Sequence, residues 1–278
     1  MFQFNFTVEN TPDSGETVSE KEPKTEDKHA EPHVLASEEV VPDSSSLDDG
    51  SGQATAFISR DVEVFMLESV GSENDQAGSS DKEASHTDLI PGVYEGGFKI
   101  WECTQDLADY MIDNLGEELE GKDVLEVGCG AGVLGIIALK LGAAKCHFQD
   151  YNKDVLQKFT IPNVLLNAEV DEKVSIDKCQ FYSGDWKSYS EVTGDRMFDI
   201  ILTSETIYNP ENNQKLIDLF MNKLRQGGKV LLAAKTYYFG VGGGLRQFEG
   251  LLGRKMNSMV VWKNCKGIKR EIIKIEHI

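Results

Sequence analysis

Glycine occupies alternate positions in the run Val127-Gly128-Cys129-Gly130-Ala131-Gly132, with Glu126 just ahead of it. A backbone free of side chains at that spacing turns tightly and admits a ligand closer than any Cβ would. The overlapping run Gly130-Ala131-Gly132-Val133-Leu134-Gly135 also satisfies the dinucleotide G-x-G-x-x-G pattern, and Asp150 follows at the distance of an acidic ribose ligand. That match alone does not choose the cofactor. Asp150 offers a carboxylate to two ribose hydroxyls or an N-cap to the segment after Asn152, and the two roles are compatible. Gly184-Asp185-Trp186 offers an acceptor for an adenine amino group and a ring to wall a purine, while a turn with a core-facing Trp would have the same sequence. Ile100-Trp101-Glu102-Cys103-Thr104 reads as a helix start whose amides and polar side chains can seat a cofactor's polar end, though a Trp there also serves as core. Ser204-Glu205-Thr206-Ile207-Tyr208-Asn209 gathers an acid, a phenol and an amide, residue types that can wall an acceptor slot and accept a hydrogen bond from the acceptor's N–H. A helix N-terminal carboxylate at Glu205 and a packed ring at Tyr208 are the structural alternatives. Tyr237-Tyr238-Phe239-Gly240-Val241-Gly242-Gly243-Gly244 starts aromatic and ends in three glycines, as a substrate lip or a flexible turn does.

Short apolar runs alternating with helical segments must position these residues. Val124 to Val127 reads as a strand, followed by a helix from Gly132 to Leu141, a strand from Lys145 to Asp150 and a helix through Val155 to Leu166. Strands at Cys179 to Tyr182 and Phe198 to Thr203 come next, then a helix from about Asn212 to Leu224 that leads through Gln226-Gly227-Gly228 to a strand from Lys229 to Ala234. That alternation predicts a parallel sheet with helices on both faces and a ligand crevice at the strands' carboxyl ends. Met259 to Trp262 and Ile268 to Ile275 instead read as an antiparallel hairpin turning at Asn264-Cys265-Lys266-Gly267.

Glu126, the extra leading Gly128 and the terminal hairpin together resemble the class I methyltransferases, whose first motif is E/D-x-G-x-G-x-G, rather than a dinucleotide enzyme. The fold expected is α/β, a Rossmann-like seven-stranded sheet with helices on both faces and a C-terminal antiparallel hairpin. Four stretches resemble the eukaryotic histidine protein methyltransferases of the methyltransferase-like family: Asp88 to Thr104, His147 to Asn152, Leu202 to Pro210 and Tyr238 to Gly244. The Phe-Gln-Phe-Asn-Phe start is similar to that family's N-terminus too. The resemblance covers about residues 88–278 and implies transfer of a methyl group from S-adenosylmethionine to a histidine of a large-subunit ribosomal protein. It implies cofactor contacts from Ile100, Trp101, Glu102, Cys103 and Thr104, from Gly128, from Gln149, Asp150 and Tyr151, from Gly184, Asp185 and Trp186, and from Ser204. Glu126 and Gly130 join that set through the glycine motif. The chain is short between Leu166 and Cys179 and before His86, so contacts carried there in longer relatives are in doubt.

Methyl transfer from a sulfonium is an in-line displacement, so geometry and a dry pocket matter most. An imidazole, with an ordinary pKa of about 6.5, already offers a lone pair at neutral pH, whereas a lysine near about 10.4 must first lose a proton. Orientation is therefore expected from Glu205 or Asn209, accepting from the ring's other N–H, with Tyr208 walling the slot. Glu205-x-x-Tyr208 also resembles the D/E-x-x-Y element of related lysine methyltransferases, so the element does not choose the acceptor. A lysine methyltransferase and a cofactor-binding ribosome-assembly factor are the rival readings.

Residues 1–87 hold 5 Lys/Arg against 20 Asp/Glu, and the remainder 23 against 27, so most of the formal −19 lies in the N-terminal region. Thr11 to Gly52 has too few large apolar residues to offset its chain entropy and is expected to be disordered, with Phe57 to Val70 forming a small strand or helix. The folded domain is expected from residue 88, with a boundary near His86. The stretch Arg254 to Lys274 is basic, and an acidic tail beside it suggests basic-protein or RNA-rich partners, or a tail that only solubilises. Five scattered cysteines show no metal-ligand spacing and read as reduced thiols. With no apolar run of bilayer length and no secretory start, the chain is expected to be a soluble intracellular monomer, without membrane or sequence-specific nucleic-acid binding. A ribosomal or pre-ribosomal substrate would place it in the cytoplasm and the nucleus, including the nucleolus.

Overall fold

The computed structural model describes residues 35–42, 54–67, 97–240, 242–253 and 255–278. In chain order the first elements are β1 (Glu38–Glu39), β2 (Ala54–Ser59), β3 (Val62–Leu67) and α1 (Glu102–Leu115). α1 buries Cys103, Leu107, Met111 and Leu115, one stripe at four-residue spacing. Next come β4 (Asp123–Val127), α2 (Val133–Lys140), β5 (Lys145–Asp150), α3 (Lys153–Val155), a π turn (Leu156–Thr160) and α4 (Ile161–Ala168). Pro162 lacks the amide that an α-helical ladder needs, and the wide turn lies just before it. β6 (Cys179–Ser183), α5 (Trp186–Val192), β7 (Phe198–Ser204), α6 (Asn213–Lys223), β8 (Leu224–Lys235), α7 (Leu245–Leu252), β9 (Met256–Asn264) and β10 (Arg270–His277) complete the order.

One eight-stranded sheet runs β1-β6-β5-β4-β7-β8-β10-β9. β6, β5, β4, β7 and β8 are mutually parallel, and β10 runs antiparallel between β8 and β9. Strand order reverses at β4, which has β5 on one side and β7 on the other, so the crevice opens above the carboxyl ends of β4 and β7. The class I α/β expectation is met, with one strand more than the seven anticipated.

That extra strand corrects the reading of Thr11 to Gly52 as disordered throughout. Glu38 and Glu39 pair with Ser183 and Tyr182 on the edge of β6, and Val40 is buried in the core. The piece at Phe57 is a β-hairpin, β2 with β3. Residues Val133 to Leu139 of α2 are all buried, so that helix needs cover on the side away from the sheet. α1 and the hairpin supply it. Burying Phe57, Val64 and Met66 stabilises this layer by roughly 1.5–3 kcal/mol per side chain. Asn167 also bonds the N–H and C=O of Phe65, at 3.1 and 2.7 Å, and Asn163 accepts from Leu67 N at 2.9 Å. Both pieces belong to the compact unit Val34–Ile278, N-terminal to the start expected at residue 88. The Phe2 to Phe6 start and the boundary near His86 lie outside the described residues.

A second correction concerns Gln226-Gly227-Gly228, expected as the connection from a helix to a strand beginning at Lys229. β8 begins at Leu224, and the glycines form a bulge where its register against β7 passes from Phe198↔Leu224 to Ile200↔Lys229. Among the described residues no helix is long and apolar enough to cross a membrane.

Candidate active site

The glycine loop is pressed from two sides. A Cβ on Gly128, at φ 63°, would lie 2.7 Å from Thr206 Cγ2, and one on Gly130, at φ 49°, would lie 2.9 Å from Gly97 O. Cys129 N donates to Gln149 O at 2.9 Å and Gly130 N to Asp150 Oδ2 at 3.0 Å, tying the loop to the end of β5. Thr160 Oγ1 in the π turn donates to Gly130 O at 2.6 Å, and Asn163 Nδ2 to Ala131 O at 3.0 Å. Glu126 lies behind the loop, its carboxylate accepting from Leu134 N at 3.3 Å and Gly135 N at 2.8 Å. It fastens the first turn of α2, whose amides would otherwise lack partners. Burial pushes its pKa up to about 8 against the pull of those two bonds. The carboxyl group braces the loop from behind, with both oxygens bonded to α2.

Asp150 closes β5 with Oδ1 accepting from Asn152 N at 3.0 Å and Oδ2 from Gly130 N. It holds the glycine loop beside the position where a ribose carboxylate was expected, and α3 has no side-chain N-cap. Tyr151 O accepts from Gly184 N at 3.1 Å. Gln149 is fully buried, donating Nε2 to Gly184 O at 2.8 Å and accepting Trp186 Nε1 at 3.0 Å. Asp185 caps α5 through Lys187 N at 2.9 Å and pairs with Lys215 Nζ at 2.7 Å. Trp186 packs against the core. In this corner Gln149 and Asp185 are thus bonded to protein groups, with Trp186 against the core.

At the other wall, Trp101 precedes the first turn of α1 and its carbonyl accepts from Thr104 N at 3.0 Å. Half-buried Ile100 packs against the core, Cys103 is buried and Glu102 is exposed. Thr104 Oγ1 and Ser204 Oγ lie 3.1 Å apart, joining the start of α1 to the end of β7.

Glu205, the first residue beyond β7, has φ 59°, a left-handed conformation that costs a side-chain-bearing residue free energy. Its N–H donates to Ala233 O at 3.0 Å, and its carboxylate is buried, with no hydrogen-bond partner on either oxygen among the described residues. Lys235 Nζ stands 3.4 Å from Oε1. Burial and then the Glu205 charge push the Cys103 thiol and the Tyr238 hydroxyl to higher pKa. Thr206 Oγ1 and Thr203 Oγ1 are 2.7 Å apart, fixing the turn against Gly128. Half-buried Tyr208 packs on the core, and Asn209 spends its side-chain oxygen on Glu211 N at 3.0 Å, capping a single 3-10 turn. Asn209 is thus an anchor for the loop.

The lip folds over this loop. A Cβ on Gly243 would lie 2.3 Å from Tyr208 O, so the two backbones touch. Tyr238 is buried, while Tyr237 and Phe239 are exposed with ring centres 4.9 Å apart. The sequence singled out neither Lys235 nor Thr206. A lysine ending a strand whose preceding residues are buried was the available signal. An open groove of about 830 Å³ between α5 and α6 takes in none of the expected site residues.

A family model described as lysine methyltransferase matches residues 92–238. A histidine protein methyltransferase 1 homologue of Dictyostelium discoideum is 46% identical over 70% of this chain and 62% of its own. The Bos taurus homologue is 44% identical over 60% of this chain and 50% of its own. The chain therefore spans between half and about three-fifths of these relatives' length. Histidine protein methyltransferase 1 of Schizosaccharomyces pombe is 30% identical, with 79% of this chain and 75% of that one covered. Among solved structures, an S-adenosylmethionine-dependent methyltransferase of Streptococcus mutans superposes with a TM-score of 0.54 at 13% identity, covering 81% of this chain and 56% of that one. A methyltransferase complexed with S-adenosylhomocysteine gives 0.52 at 13% identity over 80% and 55%, and both likenesses speak for the fold. Together with the family model and the relatives of known type, the loop, strand order and terminal hairpin show that the chain belongs to the histidine protein methyltransferase family.

Proposed function

We propose that this protein transfers a methyl group from S-adenosylmethionine to a histidine side chain of a large-subunit ribosomal protein, free or in a pre-ribosomal particle. The observation that carries the reading is Glu205: a buried carboxylate that makes no well-formed hydrogen bond among the described residues, with Lys235 as its counter-charge, held in a strained conformation at the carboxyl end of β7 beside the glycine loop. Strain and an unsatisfied buried acceptor are costs that a fold retains where a ligand completes the arrangement. A histidine N–H is such a donor. The relatives' names supply the acceptor type.

The glycine loop, with its two close approaches, suits a cofactor that lies against bare backbone, and Asp150, Thr104 and Ser204 bring a carboxylate and two hydroxyls to the same crevice. When bound, S-adenosylmethionine supplies the methyl carbon, which bonds to the imidazole lone pair as its bond to sulfur breaks and leaves the electron pair on sulfur. Glu205 accepts the N–H of the other ring nitrogen, fixes the tautomer, and stabilises the cationic ring until that proton leaves to solvent. Tyr208 and the aromatic lip shut the acceptor in and keep water out. Such a substrate places the protein in the cytoplasm and the nucleus, including the nucleolus.

The test is amino-acid analysis of the labelled product formed on ribosomal proteins from cells lacking this enzyme. Methylhistidine supports the proposal. Methyllysine, which the family model's description would favour, refutes it.

A further inference from the structure

Beyond the glycine loop and its braces, one ion pair stands unexplained. Lys235 ends β8, and its side chain is only 16% exposed. Its Nζ lies 3.4 Å from Glu205 Oε1, 3.8 Å from Glu102 Oε2, 5.4 Å from the centre of the Trp101 ring and 5.8 Å from that of Tyr238. An ammonium among two aromatic faces and two carboxylates is a fixed charge, unlike a surface lysine that swings into water. Fold stability alone does not call for it, because a buried pair of this kind does little better than apolar residues of the same volume. Neither Glu205 oxygen makes a well-formed hydrogen bond among the described residues, and the Cys103 thiol and the Tyr238 hydroxyl lie beside the carboxylate.

We propose that Lys235 is a positioning and specificity residue: by neutralising Glu205 it leaves a slot that accepts an uncharged imidazole and repels a lysine ammonium. The inference rests on the reading that the acceptor meets Glu205. A bare buried carboxylate would draw an ammonium as its counter-ion. With Lys235 already in that place, a second ammonium meets a like charge a few ångströms away in a poorly solvated site. A neutral ring enters without that penalty, its N–H directed at the Glu205 carboxylate, which offsets the positive charge that develops as the methyl group transfers. Glu205-x-x-Tyr208 resembles an element of lysine methyltransferases, so the discrimination is assigned to a charge outside it.

The groups facing Glu205 are Lys235 and Tyr238 from β8 and the loop after it, and Cys103 from α1. Glu102, Asp106 and Arg270 stand one step further out, with Arg270 bonded to Asp106 and 3.8 Å from Glu102.

The test compares the full chain with Lys235→Met and Lys235→Arg in two ways. The first needs no turnover: the Glu205 carboxylate is titrated by carbon-13 NMR with S-adenosylhomocysteine present, identified by its loss in Glu205→Gln. The midpoint should rise by at least one pH unit in Lys235→Met and return in Lys235→Arg, while affinity for S-adenosylhomocysteine stays within threefold. The second is methyl transfer to isolated large-subunit ribosomal proteins, with methylhistidine and methyllysine counted separately. Lys235→Met should lose methylhistidine at least tenfold and raise the methyllysine-to-methylhistidine ratio at least tenfold, with Lys235→Arg near the wild type. An unchanged midpoint overturns the pairing. An unchanged ratio, with the wild type making methylhistidine, overturns the specificity role alone. A wild type that makes methyllysine overturns the histidine reading and this role with it, and the titration still decides the pairing.

Discussion

Glu205 holds φ 59° beside a backbone bond to Ala233 O, a posture that only its surroundings maintain. Strain of this kind costs about 1–3 kcal/mol, and glycine would not incur it. Glu205→Gly should therefore raise the unfolding free energy by about 1 kcal/mol while methyl transfer falls at least a hundredfold. Thermal melts and initial rates measured together check the pair of outcomes, and a variant that loses stability instead would mean that the carboxylate is structural. Glu205→Gln separates charge from shape: turnover should drop at least tenfold at saturating donor with donor affinity unchanged. At this scale the sequence located the crevice but not the direction in which side chains point. Glu126, Gln149 and Asp185 stand where they were expected, yet their polar atoms bond to α2, to Gly184 with Trp186, and to Lys187 with Lys215. Residue type and spacing do not distinguish a carboxylate facing a ligand from one bracing the loop behind it.

Gly184 shows what the elements demand of one another. At φ 100° its missing Cβ would lie 2.7 Å from both Ala36 O and Ser37 Cα, because the segment leading into β1 crosses directly over it. Asp185 N donates to Leu35 O at 3.0 Å, and Val40 N to Phe181 O at 2.8 Å, so the strap is bonded along its length. Gly184→Ala should cost about 1–3 kcal/mol and speed hydrogen exchange at Val40, with little change near β10. Uniform exchange along the chain would contradict that local picture. The parallel strands were legible because each is a short apolar run covered on both faces. The strap and the β2–β3 hairpin were not, since Phe181, Asn163 and Asn167 hold them from far along the chain and an acidic composition masks the few residues that pack. The glycines after Leu224 read as a connection outside the strand because a bulge uses the same residues as a loop.

For the whole molecule, pH acts on a group far from the chemistry. His147 on β5 is buried among Tyr182, Tyr189 and Phe198, with its Nδ1 3.2 Å from Tyr189 Oη. Burial, aided by the nearby Arg196 charge, lowers its pKa from 6.5 to about 4. Between those values the unfolded chain binds the proton and the folded one does not, so this contribution is complete above pH 6.5 and is lost as pH falls towards 4. Denaturant titrations should show the wild type losing on the order of 2 kcal/mol more than His147→Gln between pH 7 and pH 5. Parallel curves for the two proteins would contradict the burial account.

The acceptor is the claim on which the functional account turns, and mapping one modified residue decides it. Purified chain and labelled S-adenosylmethionine would be incubated with large-subunit ribosomal proteins from cells lacking the enzyme, and the modified peptide sequenced by mass spectrometry. The account predicts a single methyl group on a histidine ring nitrogen, formed at least tenfold more slowly with Glu205→Gln; label on a lysine, or on histidine to the same extent with Glu205→Gln, would contradict it.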